Sequence, residues 1–275
     1  MLKKAYVEIT NICNLSCSFC PGTKRDPRFM DVSEFESVAD ALVGHTRFIY
    51  FHLMGEPLLH PELERLLDIA HKKGFRVIIT TNGTLIGERI QALLSAEALH
   101  RVNISLQSFE GSGGEDMESY IDHICGFAKA ASEKGTICSL RLWNAGGENS
   151  LNSRIISLLG KHFPTPWEDC TKNLRLTNRV FLEHGDKFDW PDLAAEERDV
   201  RFCYGLRDQI GILCDGTVVP CCLDSEGSIP LGNIHRDSLE DILQSPRARA
   251  IYDGFSGHRA TEELCRRCGY ASRFK

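Results

Sequence analysis

The chain has 275 residues, 42% of them apolar and 25% charged, enough to bury a sizeable core as roughly two domains, or one barrel with an appendage. No apolar run approaches the ~18 residues that span a bilayer, and a net charge of −6 argues against wholesale electrostatic capture of nucleic acid. The opening residues Met1 to Glu8 read as a strand and lack the apolar segment of an export signal. A cytoplasmic location is therefore expected, with the twelve cysteines kept as thiols for metal or redox chemistry.

From residue 4 to about 182, short β-prone runs alternate with segments of helical period, the pattern of a parallel sheet with crossover helices. The predicted strands are Ala5–Thr10, Phe48–Leu53, Arg76–Thr80, Val102–Gln107, Ser139–Trp143 and Leu174–Phe181. The predicted helices are Ser33–Val43, Pro61–Lys73, Arg89–Ser95, Met117–Lys134 and Leu151–Lys161, with Ser33 and Glu36 reading as a capping box. Eight units would close a barrel, so six predict an α/β fold with a partial, TIM-like (β/α)6 barrel over residues 1–185. Gly111 to Gly114 reads as a flexible loop. Glu183–Asp199, rich in acidic residues and Pro, reads as a linker or a loop over the barrel mouth. Residues 186–275 follow a different grammar. Ile210–Cys214 and Val218–Cys221 flank Asp215-Gly216, a hairpin signal, and a helical stretch from Leu239 to near Tyr252 precedes Cys265 and Cys268.

Strand alternation reveals which way the side chains point. It turns Tyr6, Glu8 and Thr10, Tyr50 and His52, Asn103, Ser105 and Gln107, Ser139, Arg141 and Trp143, and Arg175 and Thr177 into the lumen. Burying so many polar groups without partners would cost ~1–3 kcal/mol each. The alternation thus predicts a wet cavity holding a polar ligand, in which single members also satisfy one another.

Cys13, Cys17 and Cys20 follow the first strand at its carboxyl end, where folds of this class place their chemistry. Three thiolates on one loop can hold three irons of a 4Fe–4S cluster and leave the fourth open. Structural zinc is the alternative, and it wants a fourth ligand that no nearby Cys or His supplies.

With Phe19 beside Cys20, this segment resembles the signature of the radical S-adenosylmethionine (SAM) superfamily, and the resemblance runs over residues 4–182. It implies that Gly55, Glu56 and Pro57 receive the methionyl ammonium group. It further implies that Thr81 and Asn82 flank SAM, that Ser105 contacts its ribose and methionyl end, and that Arg141 contacts its carboxylate. The cofactor would do the difficult chemistry, with the protein orienting and shielding it.

The spacing of Cys203, Gly216 and Cys221, then Cys265 and Cys268, resembles the opening of the SPASM domain in its abbreviated "twitch" form. That resemblance implies one auxiliary 4Fe–4S cluster with complete protein ligation, suited to accepting or relaying an electron. Cys214 and Cys222 are close enough in sequence to substitute as ligands, and zinc on four thiolates is the alternative.

Oxidation of a polar metabolite is the favoured reading, with His52 or Glu8 as base and Tyr50, Asn103, Gln107 and Arg175 against the substrate. An electron donor such as flavodoxin or ferredoxin is the implied partner. Peptide modification is a second reading. RNA modification is a third, carried by Arg247, Arg249, Arg259, Arg266, Arg267, Arg273 and Lys275, a set that equally describes a solvated face. A non-catalytic, zinc-stabilised interaction protein is the reading of a different class.

Overall fold

The computed structural model describes residues 2–112 and 116–274. Gly113 and Gly114 of the expected flexible loop, and Lys275 of the basic set, lie outside the described residues. Five strands, β1 (Lys4–Val7), β2 (Phe48–Phe51), β3 (Arg76–Thr81), β4 (Leu99–Ser105) and β5 (Ile137–Ala145), alternate with helices. These are α1 (Val32–Leu42), α2 (Leu63–Lys72), α3 (Ile86–Ser95), α4 (Met117–Glu133) and α5 (Asn152–His162). All neighbouring pairs from β1 to β5 are parallel. The capping box of α1 falls two residues earlier than expected, with the Glu34 carboxylate accepting from the Asp31 amide at 2.8 Å.

The sixth barrel strand corrects the sequence reading. Leu174–Phe181 is not one strand: after β6 (Glu168–Asp169), β7 (Leu174–Thr177) folds back antiparallel on β8 (Val180–Asp186). Arg179 turns the corner with a φ of 59°. Only β8 pairs parallel with β5, so the barrel strand begins six residues later than predicted. Residues Glu183 to Asp186 of the expected linker thereby belong to the sheet.

The sheet does not close. Its order is β11-β10-β9-β1-β2-β3-β4-β5-β8-β7-β6, in which β9 (Gln209–Ile212), β10 (Thr217–Val219) and β11 (Gly232–Asn233) come from the second region. β9 docks parallel beside β1, and β10 returns antiparallel through the predicted hairpin. Gly216 makes that turn at a φ of 82°, and an added Cβ would lie 2.3 Å from the His235 ring. The helical stretch that follows breaks at Ser245-Pro246 into α6 (Leu239–Gln244) and α7 (Pro246–Ser256), and α8 (Glu263–Arg266) carries Cys265. Outward-facing Val7, Ile49, Phe51, Val77, Ile79, Val102 and Ile104 are fully buried under Phe35, Val38, Leu66, Ile121 and Ile124 of the helices. Each such side chain contributes about 1.5–3 kcal/mol, which frees the inner face of the sheet for polar groups.

Candidate cofactor and substrate site

The cysteine loop leaves the carboxyl end of β1 and is fastened from several sides. Cys13 and Cys20 are exposed and Cys17 is half-buried. The turn Leu106–Ser112 after β4, unforeseen because the strand was expected to run on to Gln107, forms a cradle. There the Glu110 carboxylate accepts from the Ser18 hydroxyl at 2.6 Å and from its amide at 3.2 Å. A Cβ on Gly111 would stand 3.1 Å from the Cys17 sulfur. The Trp190 indole donates to the Phe19 carbonyl at 3.0 Å. Burial raises the thiol pKa of all three cysteines, Cys17 to about 11, so free thiolates are disfavoured until a metal takes the proton's place.

Gly55 and Glu56 thread against the start of this loop. Gly55 has a φ of 74°, and a Cβ there would meet the Thr10 carbonyl at 2.4 Å. Glu56, 1% exposed, accepts from the Leu58 amide at 3.0 Å, the Thr81 hydroxyl at 2.7 Å and the Asn82 amide at 2.7 Å. Pro57 opens the short 3-10 turn that presents Leu58. Among the described residues no cation pairs with this carboxylate, and burial pushes its pKa up to about 7 against three opposing hydrogen bonds. The Asn82 side chain reaches back toward the Cys13 sulfur, at 3.9 Å, and to Asn14, at 2.9 Å. The residues expected from three separate segments are thus assembled beside the first thiol.

A cavity of about 680 Å³ fills the lumen. Phe19, Tyr6, Tyr50, His52, Asn103, Ser105, Gln107, Arg141 and Trp143 line it on the barrel side. Cys203, Cys221, Cys265 and Cys268 line it on the other. Among the described residues the buried Asn103 and Gln107 side-chain oxygens find no hydrogen-bond partner, as expected of groups waiting for a ligand. Arg141 stacks over Trp143 at 4.5 Å and donates to Glu183 at 3.2 Å. Burial, then the charges of Arg141 and Lys4, push the His52 imidazole down to about 4.

Five expected lumen residues are placed elsewhere. Thr10 donates to the Arg28 carbonyl at 3.0 Å, and Ser139 is buried away from the cavity. Glu8 is sealed by Arg25, whose Nη2 donates to it at 2.6 Å, and by the Cys214 amide at 3.0 Å, and so does not face the cavity as a base. Arg175 sits on the antiparallel arm β7, bonded to Glu168 at 2.8 Å, outside the cavity; its neighbour Thr177 is exposed as well. Lys4, absent from the sequence reading, lines the cavity with its ammonium 5.0 Å from the Tyr6 ring and 5.2 Å from the Tyr50 ring. It shares the parity of Tyr6 on β1, so alternation extended one turn of the pleat would have found it.

The thiols of the second group are raised first by burial and then by one another's charge. Cys221 is raised well above the ordinary thiol range by burial, followed by Cys203, Cys222 and Cys265, and Cys265 by burial, Cys203 and Cys268. The Cys214 thiol instead donates to the Glu8 carbonyl at 3.0 Å, away from this group. Cys222 lies against Tyr6, and burial raises it to about 11. Among the described residues no three His, Cys, Asp or Glu side chains converge as the ligands of a single metal ion would. Three thiols on one loop, a buried carboxylate awaiting a cation and orphaned lumen oxygens fit an open-site cluster with SAM. The four thiols at the far wall fit a second cluster.

No helix among the described residues is long and apolar enough to cross a membrane. In comparisons with known proteins, residues 7–150 match the model of the Radical SAM superfamily, and residues 203–269 match SPASM, an iron-sulfur cluster-binding domain. The chain is 26% identical over 304 aligned residues to the antilisterial bacteriocin subtilosin biosynthesis protein AlbA of Bacillus subtilis (strain 168), covering 97% of this chain and 65% of that protein. It is 25% identical over 194 residues to Fe-coproporphyrin III synthase of Methanosarcina barkeri (strain Fusaro / DSM 804), covering 69% and 47%. The chain therefore spans less than two thirds of either relative's length. The crystal structure of BtrN in complex with AdoMet and 2-DOIA shares the fold, with a TM-score of 0.64 at 19% identity over 98% of this chain and 93% of that one. This chain belongs to the radical SAM superfamily: a partial TIM-like barrel joined to a SPASM domain, with a SAM-binding 4Fe–4S cluster, auxiliary iron–sulfur ligation and SAM as its cofactors.

Proposed function

We propose that the chain cleaves SAM reductively, abstracts hydrogen from a polar substrate held in the lumen, and passes an electron to the auxiliary cluster. When bound, the open-site cluster and SAM supply a 5′-deoxyadenosyl radical; the protein's part is to bind, orient and exclude water. The observation that carries this reading is that one cavity is lined both by Phe19 of the cysteine loop and by Cys203, Cys221, Cys265 and Cys268.

Glu56 receives the methionyl ammonium, and its three hydrogen bonds fix both oxygens toward that charge. Ser105 and Arg141, aligned as register partners on β4 and β5, hold the polar end of SAM. Tyr50, Asn103 and Gln107 face the substrate, and the two orphaned oxygens accept from its hydroxyl or amine hydrogens. His52, kept neutral by its surroundings, takes the proton released as the attacked carbon is oxidised. The one-electron reductant is a carrier of the flavodoxin or ferredoxin type.

The cavity's 680 Å³ falls within the range of small-molecule sites, about 300–1,000 Å³. Peptide modification is the second reading, favoured by the AlbA relationship and by the shared fold of Streptococcus suis SuiB, whose structure bound to precursor peptide SuiA matches at a TM-score of 0.62. The RNA reading loses support because Arg247, Arg266 and Arg267 are paired with Glu262, Glu197 and Glu263.

The test is anaerobic incubation of reconstituted protein with SAM, a reductant and deuterated candidate substrates of both classes. Deuterium is expected in 5′-deoxyadenosine from the true substrate. Cys17→Ala should abolish SAM cleavage, while Cys265→Ala should keep some cleavage and lose product. Equal loss in the two variants would contradict the division of roles.

A further inference from the structure

The loop that carries Cys13, Cys17 and Cys20 continues past its last thiol as residues 21–28, without helix or strand, and lies against the SPASM region. Arg25 is the central contact. Its Nη2 donates to Glu8 Oε1 at 2.6 Å and its Nε to the Ser225 carbonyl at 2.8 Å. The second Glu8 oxygen accepts from the Cys214 amide at 3.0 Å, and the Lys24 amide donates to Glu226 at 3.1 Å. The Glu8 side chain is wholly buried and that of Arg25 is 18% exposed, so water screens this pair little.

The placement of the partners along the chain gives the contact its meaning. Glu8 lies between β1 and Cys13, Cys214 lies between β9 and Cys221, and Ser225 follows Cys222 closely. A guanidinium holds two acceptors at a fixed angle, which a flexible ammonium does not. The one guanidinium thus joins the segment around Ser225 to the segment around Glu8 through two hydrogen bonds.

We infer that Arg25 is a positioning residue that ties the geometry of the SAM-cluster loop to the docked SPASM region, so that the two cysteine groups are held as one unit. The inference rests on the proposed SAM chemistry of the three-thiol loop. It says that disturbance at one cluster is felt at the other by way of Arg25.

The test is electron paramagnetic resonance of reduced, reconstituted protein with and without SAM. It compares wild type, Arg25→Lys and Arg25→Leu, each alone and combined with Cys265→Ala. In wild type, Cys265→Ala should alter the SAM-dependent change in the first cluster's signal. Arg25→Leu should split that signal into several species, lower its SAM-responsive fraction at least fivefold at fixed SAM, leave the auxiliary signal in place and erase the further effect of Cys265→Ala. Arg25→Lys, which keeps the ion pair but not both bonds, should show the same changes in smaller degree.

A wild-type spectrum and SAM response in Arg25→Lys would overturn the inference. So would an Arg25→Leu protein in which Cys265→Ala still has its wild-type effect, or one that loses both cluster signals together with its fold. A wild type whose signal ignores SAM would refute the proposed chemistry itself, and the inference with it.

Discussion

Glu56→Gln isolates the charge held at the centre of the proposed SAM site. Burial moves this carboxyl from 4.5 to about 7, equivalent to about 3 kcal/mol between its two protonation states. The folded chain therefore keeps a proton that the unfolded chain has lost in this interval. The stability this confers is complete below about pH 4.5 and is lost as pH rises through 7. Between pH 5.5 and pH 8 the loss comes to about 2 kcal/mol. Gln carries no such dependence, but its amide nitrogen must face one of the three donors now on Leu58, Thr81 and Asn82, a pH-independent cost of about 1–3 kcal/mol. Anaerobic denaturant titrations of SAM-free reconstituted protein should show the stability gap between wild type and Glu56→Gln moving in the variant's favour by about 2 kcal/mol from pH 5.5 to pH 8. Added SAM should restore the wild type's advantage at pH 8, because its ammonium neutralises the buried carboxylate. A gap that stays constant across this range would refute the reasoning.

His52 titrates with the opposite sign. With its imidazole at about 4 rather than 6.5, the folded chain refuses a proton that the unfolded chain accepts, so stability should fall by about 1.4 kcal/mol from pH 8 to pH 5.5; His52→Gln should remove that slope in the same titrations, and an unchanged slope would exclude a neutral, enclosed His52. Gly55→Ala forces a Cβ to within 2.4 Å of the Thr10 carbonyl at a φ of 74°, and should reduce iron bound at the three-cysteine loop several-fold by elemental analysis while leaving the auxiliary cluster. Arg141→Leu should weaken SAM binding at least tenfold by equilibrium dialysis, whereas Arg175→Ala, on the solvent-facing arm, should stay within twofold of wild type in both SAM binding and turnover.

Much of this was legible in the sequence because it is periodic. The first five strands, five helices and the Asp215-Gly216 hairpin follow from local alternation and turn chemistry, and the parity of Tyr50, His52, Asn103 and Arg141 correctly set which side chains line the cavity. The sixth strand was misplaced because its turn, at Asn178 and Arg179, lacks the glycine that normally announces one, and Arg175 went to the wrong face with it. Parity turns Glu8 into the lumen, but its carboxylate is taken up by Arg25 and the Cys214 amide, and Arg25 arrives from a segment with no periodicity at all. The docking of β9 beside β1 and the cradle around Cys17 join residues distant in sequence, which no local pattern encodes.

The proposed radical chemistry requires SAM's amino and carboxylate groups to reach the iron that Cys13, Cys17 and Cys20 would leave open. Electron–nuclear double resonance on reduced protein loaded with SAM labelled with ¹⁵N at its amino group and ¹⁷O at its carboxylate reads this directly. Couplings from both nuclei are predicted, and they should persist in Cys265→Ala; a reduced cluster that forms at the three-thiol loop yet shows neither coupling at saturating SAM would contradict the account.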